Sequence, residues 1–317
     1  MAMKHLFVEQ AIKVATEGQA ALVDFLTEDN PIIENLPMEG ANKGMQDVYE
    51  VLNQADEIPL TELDAPLTAL DAATKVEQTN LKQWAGKIIA GEDKIKDLGF
   101  GKNFAGYFAD KSPKIFRTTG NSLSRTIYYN SLRAYAIANY TADNTRVINA
   151  GGSTADSQFS ITAVKWTPGE ITGLYNKEGW GDGKIFDIAD INGGNLYEDP
   201  TTKVLVYGKR MKLNMGMKLA NPRYVASIVN IQNNADLTSA GISLDDKLSD
   251  LIVRARNANA IYMHPSLLQK LGTAFKSDKL RFVNNDNDIN NIIAFWDGVR
   301  IISDFNLDYG TEAVVTL

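Results

Sequence analysis

The sequence predicts an α+β fold, and three observations lead to this prediction. Strand-like segments come in runs instead of alternating strictly with helices. Residues 112–140 carry apolar and small side chains at spacings of three and four, which predicts one helix of about eight turns. Residues 259–316 combine a strand, a proline stop, a short helix and a second strand. We find no period of 20 to 50 residues, so a solenoid or propeller is not expected.

Composition narrows the classes of function before any motif is considered. The chain has 317 residues, is 44% hydrophobic and 22% charged, and carries a formal net charge of −7. That charge argues against a protein that grips nucleic-acid phosphates tightly. The chain has no Cys, which excludes disulfides, thiolate metal sites and Cys nucleophiles. It also lacks the run of about 18 apolar residues that a membrane-spanning helix needs.

The N-terminal part predicts an amphipathic helix over 6–29, which Asn30-Pro31 ends because the residue before Pro leaves the α region. Glu9, Lys13 and Glu17 interrupt the apolar run that a signal peptide needs, so we expect an intracellular or virion-borne protein.

Residues 44–90 read as a hairpin of two extended arms. Met45–Leu52 and Lys75–Trp84 are strand-like, Thr61–Leu63 adds a shorter strand-like piece, and prolines punctuate the turn. Such a hairpin has too little apolar mass to fold as a domain. We therefore expect it to lie on its own body or on another subunit.

The long helix is predicted to start with Ser112 as N-cap and Pro113 in its first turn, and to run to Tyr140. Gly120 inside it is expected to allow a bend or a close approach. Three arginines at intervals of eight form a stripe: Arg117, Arg125 and Arg133. The stripe is interpreted as a solvated face with local ion pairs, or alternatively as a contact with a neighbouring chain or nucleic acid.

The middle of the chain predicts several strands and a second helix. The helix spans Ser243–Asn257, with Ser243 as N-cap, acidic residues in its first turn, and Arg254 and Arg256 in its last turn. The predicted strands are Ser160–Trp166, Ile171–Tyr175, Lys203–Tyr207, Arg210–Leu219 and Arg223–Ile231.

The last fifth of the chain predicts a strand at Ala260–Met263, a helix at Ser266–Leu271 and a strand at Val299–Ser303. Pro265 suits the first turn of a helix better than a sheet ladder, and Gly272 is expected to close the helix. These elements predict a scaffold and no chemistry.

A search for chemistry finds no catalytic, cofactor-binding or metal-binding residue, so we predict that the chain is not an enzyme. His264 lacks a nucleophile motif and is interpreted as a residue that starts a helix. Gly99–Gly106 departs from phosphate-binding loops, and Asp286–Asn290 departs from a calcium loop. Asp182, Asp187 and Asp190 lie among glycines without diagnostic spacing, and acidic pairs such as Glu57 and Glu62 are common on acidic surfaces.

The order of elements resembles the tailed-bacteriophage major capsid proteins of the Hong Kong 97-like fold. Three stretches carry the resemblance in order: Ile261-Tyr262-Met263-His264-Pro265, Gly298-Val299-Arg300-Ile301 and Gly310-Thr311-Glu312-Ala313. His264 stands where that family has Asn, and Arg300 where it has Pro. The motifs cover about the last fifth of the chain, and the order of elements covers most of it.

This resemblance implies a division of the chain into an arm, a loop, a spine helix and two domains. The expected parts are an N-terminal arm (1–43), an extended loop (44–92), a spine helix region of the peripheral domain (93–143), an inserted β-rich subdomain (144–202), peripheral-domain strands and helix (203–258), and an axial domain with a return strand (259–317).

The resemblance also implies a function, namely self-assembly into the icosahedral head of a tailed phage that encloses double-stranded DNA. The implied partners are the chain itself in pentamers and hexamers, scaffolding, portal and decoration proteins, and genomic DNA bound without sequence specificity, with no membrane partner. The implied location is the virion, with assembly in the host cytoplasm. Deleting 44–86 is then expected to leave a folded subunit that forms no shell.

Three other interpretations stay open from the sequence. One is an encapsulin-type nanocompartment shell of the same fold. Another is a β-rich carbohydrate-binding module that uses Trp166, Tyr175, Trp180 and Tyr197 for stacking. The third is a metal-assisted hydrolase that uses Asp182, Asp187, Asp286 and Asp288.

Overall fold

The computed structural model describes ten parts of the chain, and all structural statements below concern them. They are residues 26, 30–55, 69–70, 72–140, 146–176, 186–233, 237, 243–275, 280–284 and 292–317. The predictions for Thr61–Leu63, for Asp182 and for Asp286–Asn290 lie outside these described residues, as does nearly all of the amphipathic stretch 6–29.

The described helices are dominated by one long element. It begins as an α-helix, continues in π-helical form and ends as an α-helix, and we call the whole of 104–138 the long helix. The helices are α1 (Pro31–Glu34), α2 (Glu92–Asp97), α3 (Phe104–Arg125), the π-helical segment (Thr126–Arg133), α4 (Ala134–Ala138), α5 (Leu244–Arg254) and α6 (Pro265–Ala274).

The described strands form two large sheets and one separate pair. They are β1 (Met38–Ala41), β2 (Gln46–Ala55), β3 (Ala72–Asn80), β4 (Lys82–Gly91), β5 (Val147–Asn149), β6 (Gln158–Val164), β7 (Ile171–Asn176), β8 (Phe186–Asp190), β9 (Tyr197–Glu198), β10 (Leu205–Leu219), β11 (Val225–Gln232), β12 (Ala260–Met263), β13 (Leu280–Asn284), β14 (Ile292–Trp296) and β15 (Val299–Ser303).

The six-stranded sheet is built around β10. One edge of β10 pairs antiparallel with β4, from Val206 opposite Gly91 to Met215 opposite Lys82. Its other edge pairs in succession with β9, β8 and β7, and β1 then adds in parallel to β7. A single 15-residue strand therefore holds four other strands in register.

The seven-stranded sheet has the order β13-β14-β15-β12-β6-β11-β5. It is mixed, because β12 pairs in parallel with β15 and β11 in parallel with β5, while the other neighbours are antiparallel. All seven residues of β6 are buried, as expected of a central strand covered on both faces.

Two apolar clusters cover the two faces of the seven-stranded sheet. One cluster joins Val164, Val225 and Tyr262 of that sheet to the long helix and to the six-stranded sheet. The other joins Ile161 and Ile228 of the opposite face to α5 and α6. The long helix thus shares one core with both sheets, and α5 and α6 cover the far face.

The long helix starts earlier than predicted. It begins at Phe104, and Asn103 caps it by accepting a hydrogen bond from Gly106 N at 3.0 Å. Ser112 and Pro113 lie inside it, so the prediction that they start the helix is wrong. The helix can start at Phe104 because the Asn103 side chain satisfies one of its first backbone donors, Gly106 N. The helix then continues through Pro113, although Pro has no N–H to donate to the preceding turn.

Several strand predictions are confirmed, some with shifted ends. Val299–Ser303 and Ala260–Met263 are strands as predicted. The two predicted strands Lys203–Tyr207 and Arg210–Leu219 are one continuous strand, β10, because Gly208 lies in the ladder opposite Ile89. The predicted hairpin exists as β2 and β3, while 82–91 forms β4 in the six-stranded sheet.

The predicted β-rich insertion, 144–202, contributes to both large sheets. Its β5 and β6 belong to the seven-stranded sheet, and its β7, β8 and β9 belong to the six-stranded sheet. Within the described residues this stretch therefore forms no separate sheet of its own.

The two later helices follow the sequence prediction in part. α5 has Ser243 at its N-cap position, Asp245 and Asp246 in its first turn and Arg254 in its last, although the Ser243 side chain makes no capping hydrogen bond and Arg256 lies beyond the end. In α6, Gly272 lies inside the helix, which runs to Ala274, so the prediction that Gly272 closes it is wrong.

Candidate assembly surface

The β2–β3 hairpin is the part of the described chain least supported by a core. Its two strands pair with each other and with no third strand among the described residues. Most of its described side chains are exposed, and Val76 is 63% exposed although it is apolar. A two-stranded hairpin is marginally stable alone in water, so this one needs a further surface.

The base of the hairpin is fixed to the six-stranded sheet. Lys218 of β10 places its Nζ 3.1 Å from Asp47 Oδ2, and both side chains are nearly buried. The same ammonium lies 4.9 Å from the centroid of the Tyr49 ring. Leu81 N donates to Met45 O at 2.9 Å, which closes the base where the two arms meet the body. The body therefore holds the hairpin at its base.

An apolar groove runs between the long helix and the six-stranded sheet. It consists of two neighbouring cavities, of about 240 and 210 Å³, and Trp84 lines both. Ile115 and Thr119 of the long helix and Met211 of β10 line the first cavity. Ile115 is 40% exposed, so the groove presents apolar surface to the outside. Apolar surface of this kind favours association with another protein surface.

A cluster of buried polar side chains ties the C-terminal segment to the π-helical segment. Glu312 Oε1 accepts hydrogen bonds from Tyr129 Oη at 3.0 Å and from Ser160 N and Oγ at 3.2 and 2.9 Å. Its Oε2 lies 3.2 Å from Arg133 Nη2, with both side chains largely buried. We call Glu312, Arg133, Tyr129 and Ser160 the Glu312 clamp. It joins the end of the chain to the long helix and to β6.

Burial governs the protonation of the Glu312 clamp. Burial raises the pKa of Glu312, and the positive charge of Arg133 opposes that rise. Burial also raises the pKa of Tyr129, and the nearby Glu312 carboxylate adds to the effect. Tyr129 therefore stays neutral. Its hydroxyl donates a hydrogen bond to Glu312, and its oxygen accepts one from Asp308 N at 2.8 Å. The clamp is a structural contact.

A second polar contact joins the start of the described chain to the long helix. Asn30 Oδ1 accepts from Ser124 Oγ at 3.2 Å and from Asn306 Nδ2 at 3.0 Å. Gly120 lies beside them, and a Cβ there would come within 2.5 Å of Leu26 O. The predicted close approach at Gly120 is confirmed, because no larger residue fits against that carbonyl.

The backbone at Gly310, in the Gly310-Thr311-Glu312 stretch, requires a glycine. Gly310 adopts φ +58, and a Cβ on it would lie 2.6 Å from Asn233 Nδ2. A glycine there lets the chain turn so that Glu312 reaches the long helix.

The predicted arginine stripe proves to be used mainly within the subunit. Arg125 Nη1 lies 2.7 Å from Asp308 Oδ1, and Arg133 pairs with Glu312. Arg117 is exposed on the same helix. Arg125 and Arg133 thus form ion pairs within the subunit, but their partners are distant in sequence, so these pairs are not the local ones expected.

The residues tested for chemistry have structural roles where the structure describes them. His264 is the N-cap of α6, and its Nδ1 accepts from Ser266 N at 3.1 Å, as predicted. Gly99 and Gly101 turn the chain at positive φ before the Asn103 cap. Asp187 pairs with Arg210 and Asp190 with Lys209. Among the described residues, no group of three or more His, Asp or Glu side chains is placed to hold a metal ion.

The described aromatic residues do not form the stacking platform that a carbohydrate module would need. Trp166 is 4% exposed and donates from Nε1 to Tyr262 Oη at 2.8 Å, so it belongs to the core. Tyr175 and Tyr197 are partly buried, and Trp180 lies outside the described residues.

Every helix in the described part of the chain is too short or too polar to cross a bilayer.

Sequence reasoning missed the partners in these contacts. The partner of Glu312 lies 179 positions away at Arg133, and no local pattern marks such a pair. The groove was also missed, because its walls come from β4, the long helix and β10. The π-helical segment leaves no signal in the apolar spacing.

Known phage capsid proteins resemble this chain in sequence pattern and in structure. A family model described as "Major capsid protein GP7" matches residues 129–315. The capsid protein of bacteriophage JBD30 has a similar structure, with a TM-score of 0.54 and 11% sequence identity, covering 86% of this chain and 88% of that one. A bacteriophage Epsilon15 structure matches with a TM-score of 0.47 and 13% identity, covering 88% of each chain. No curated protein sequence is significantly similar to this chain.

Proposed function

The chain belongs to the major capsid protein GP7 family, and from this membership we propose that its hairpin and its apolar groove are the two sides of the contact that joins neighbouring copies in the shell. The chain is a major capsid protein of a tailed phage, and it has the Hong Kong 97-like fold. Its function is to form the icosahedral shell.

The exposure of the β2–β3 hairpin carries the proposal. Val76 is an apolar residue that the hairpin leaves exposed to water. Burying a Val side chain in a contact between copies would stabilise that contact by about 1.5 kcal/mol or more. In a closed shell of identical chains, each such contact is repeated by symmetry. The hairpin of one copy then lies on the long helix and β10 of its neighbour, with apolar side chains in the groove.

The finer organisation follows from the same proposal. The six-stranded sheet with the long helix serves as the peripheral domain, and the seven-stranded sheet with α5 and α6 serves as the axial domain, so β5, β6 and β11 join β12 to β15. This proposal differs from the division expected from the sequence, which placed 203–258, and with it α5, in the peripheral domain. The hairpin 46–80 is the extended loop. Copies assemble as pentamers and hexamers in the host cytoplasm, with scaffolding, portal and decoration proteins as further partners. The shell encloses genomic DNA without reading its sequence and catalyses no reaction.

A substitution in the groove tests the contact. Ile115→Asp places a charge on an exposed wall of the groove and is expected to leave the subunit folded but to abolish particles in negative-stain microscopy. Val253→Asp is the matched control, because Val253 is 66% exposed on α5, on the other side of the seven-stranded sheet. Normal particles from Ile115→Asp would exclude the groove as the docking surface.

A further inference from the structure

We propose that the acidic segment 56–71 of one copy, which links β2 to β3 in the sequence and which we call the acidic tip, binds a cluster of cations at one end of the seven-stranded sheet of a neighbouring copy. The cluster consists of Arg146, Lys165, Arg223 and Arg256, and we call it the basic end. This inference rests on the proposed function, since it takes the hairpin to reach a second copy. It names the residues and the chemistry that make the contact specific.

The topology brings these four residues together from distant parts of the chain. Arg146 directly precedes β5, and its carbonyl accepts from Ser227 N of β11 at 3.1 Å. Lys165 directly follows β6, and its N–H donates to Tyr224 O at 2.8 Å, next to Arg223. Because β5 and β11 start where β6 ends, all three residues lie at the same end of the sheet.

Arg256 joins them from the turn that leads to β12. Ala260, the first residue of β12, pairs with Val164 at the end of β6, so the turn before β12 lies at that same end. Arg256 is exposed and adopts φ +53. The four residues of the basic end therefore come from four different loops that lie at the same end of the seven-stranded sheet.

These cations lack carboxylate partners among the described residues. No Asp or Glu oxygen in the described chain lies within 4.0 Å of the charged nitrogens of these four residues, in contrast with Arg125, Arg133 and Lys218. Lys165 Nζ lies 5.1 Å from the centroid of the Tyr224 ring instead.

Mutual repulsion marks the cluster as a site that favours an anion. Burial lowers the pKa of Arg146, and the charges of Arg223 and Arg256 lower it further. Like charges held close together at a partly buried position destabilise one another until an opposite charge neutralises them. An anion from outside the described body therefore has a favourable place to bind.

The chain itself carries a concentrated source of negative charge. Residues 46–80 contain eight Asp and Glu but only one basic residue, Lys75. The whole chain has 39 Asp and Glu against 32 Lys and Arg, so the hairpin accounts for the entire net charge of −7 and the remainder is balanced. The five carboxylates of 56–71 belong to Asp56, Glu57, Glu62, Asp64 and Asp71.

Charge complementarity favours this segment of a second copy as the occupant. In a shell of identical chains, each basic end meets one acidic tip, and four cations face five carboxylates. Attraction between opposite charges also sets the register and speeds association. Nucleic-acid phosphate is the competing occupant, and the experiment below separates the two.

The test uses a peptide of residues 54–73 and the full-length subunit under conditions that keep it unassembled. The probe variant is Arg223→Glu with Arg256→Glu, since both side chains are exposed. The matched control is Lys94→Glu with Lys203→Glu, which reverses the same charge at exposed sites and also includes one residue at positive φ, Lys203 at +58. Circular dichroism and thermal unfolding verify that each variant is folded.

We expect the peptide to bind the wild type and the control with similar affinity, and to bind the probe variant at least about tenfold more weakly. Binding to the wild type should weaken as salt increases, because exposed charges are screened. In the full chain, the probe variant should not form shells at 0.15 M salt, and adding Glu57→Lys and Glu62→Lys should restore them.

Other outcomes would overturn the inference. Equal binding of the peptide to the probe variant, or the lack of any restoration by the reversed hairpin charges, would show that the basic end does not receive the tip. Salt-dependent binding of duplex DNA to the basic end, with normal shells from the probe variant, would assign the site to phosphate. A wild type that binds the peptide but never forms particles would contradict the proposed function and leave this inference supported.

Discussion

The hairpin 46–80 and the C-terminal segment 304–312 contrast in how they are held. Both are poor in core residues, yet Glu312 is 6% exposed and satisfied by Tyr129, Ser160 and Arg133 of the same subunit. In the described part of the hairpin, the contacts with the body lie at its base, where Asp47 pairs with Lys218, and Val76 is left 63% exposed. The subunit thus completes one segment by itself, and we propose that a neighbour completes the other.

This difference separates two kinds of stability. Contacts of the Glu312 clamp act within the free subunit and should appear in its free energy of unfolding. Under the proposed function, contacts of the hairpin act between copies, so their loss should appear in assembly while leaving the fold of the body unchanged. Variants on the two sides of this comparison are therefore expected to fail in different assays.

Removal of the hairpin should have the largest effect, and it should act on assembly alone. Replacing residues 46–80 by two glycines joins Met45 to Leu81, whose backbone atoms already form a hydrogen bond of 2.9 Å. We expect a monomer that unfolds cooperatively near the wild-type temperature and forms no shells by light scattering. The reason is that β4 keeps all its pairing with β10, and that Lys218, which loses Asp47, becomes accessible to water once the hairpin is removed.

The structure also gives the control for this deletion. The wider deletion of 44–86, predicted from the sequence, removes half of β4 and should destabilise the six-stranded sheet as well. If the 46–80 deletion unfolds the body as the wider one does, then the hairpin is part of the core and the comparison fails.

Loss of the Glu312 carboxylate should destabilise the free subunit strongly. Glu312→Ala leaves the largely buried Arg133 without its partner, and breaking a buried pair costs about 3 kcal/mol or more. Chemical denaturation of the unassembled chain measures this loss. Thr311→Ala, at the exposed neighbouring position, should change the unfolding free energy by less than about 0.5 kcal/mol. Equal effects of the two variants would show that the clamp adds no stability.

Titration of Glu312 should have the smallest effect. Its pKa in the folded state is raised by burial above the ordinary value of 4.5, so the folded subunit binds this proton more tightly than the unfolded chain does. The contribution of Glu312 to stability is therefore largest at acidic pH, and it falls as pH rises from the ordinary value through the folded value.

Comparison with Glu312→Gln isolates this titration, because Gln has a similar shape and does not ionise. The unfolding free energy of the wild type relative to Glu312→Gln should increase as pH falls from 7, and below pH 4.5 the increase should approach about 1.4 kcal/mol for each unit by which the pKa is raised. A difference that decreases over this range would mean that the attraction of Arg133 outweighs burial.

Local patterns in the sequence were sufficient to predict the strand at 299–303, the helix start at His264 and the close approach at Gly120. Each of these depends on residues near one another in the chain. The order of elements also indicated the family, which the match over 129–315 confirms.

Other features could not be read from the sequence because they depend on distant partners. Ser112-Pro113 resembles a helix start, but the long helix begins at Phe104, where Asn103 caps it. The Glu312–Arg133 pair, the groove and the basic end each combine residues that only the folded topology brings together. Their roles became visible through distances and burial.

Hydrogen exchange of the free subunit and of the assembled shell tests the central claim most directly. Amides of the body report on contacts within the subunit, and those of β2 and β3 report on contacts between copies. We predict that amides of 46–80 exchange fast in the free subunit and slowly in the shell, while those of β6 and β11 are slow in both. Hairpin amides that are equally protected in the free subunit and in the shell would contradict the account.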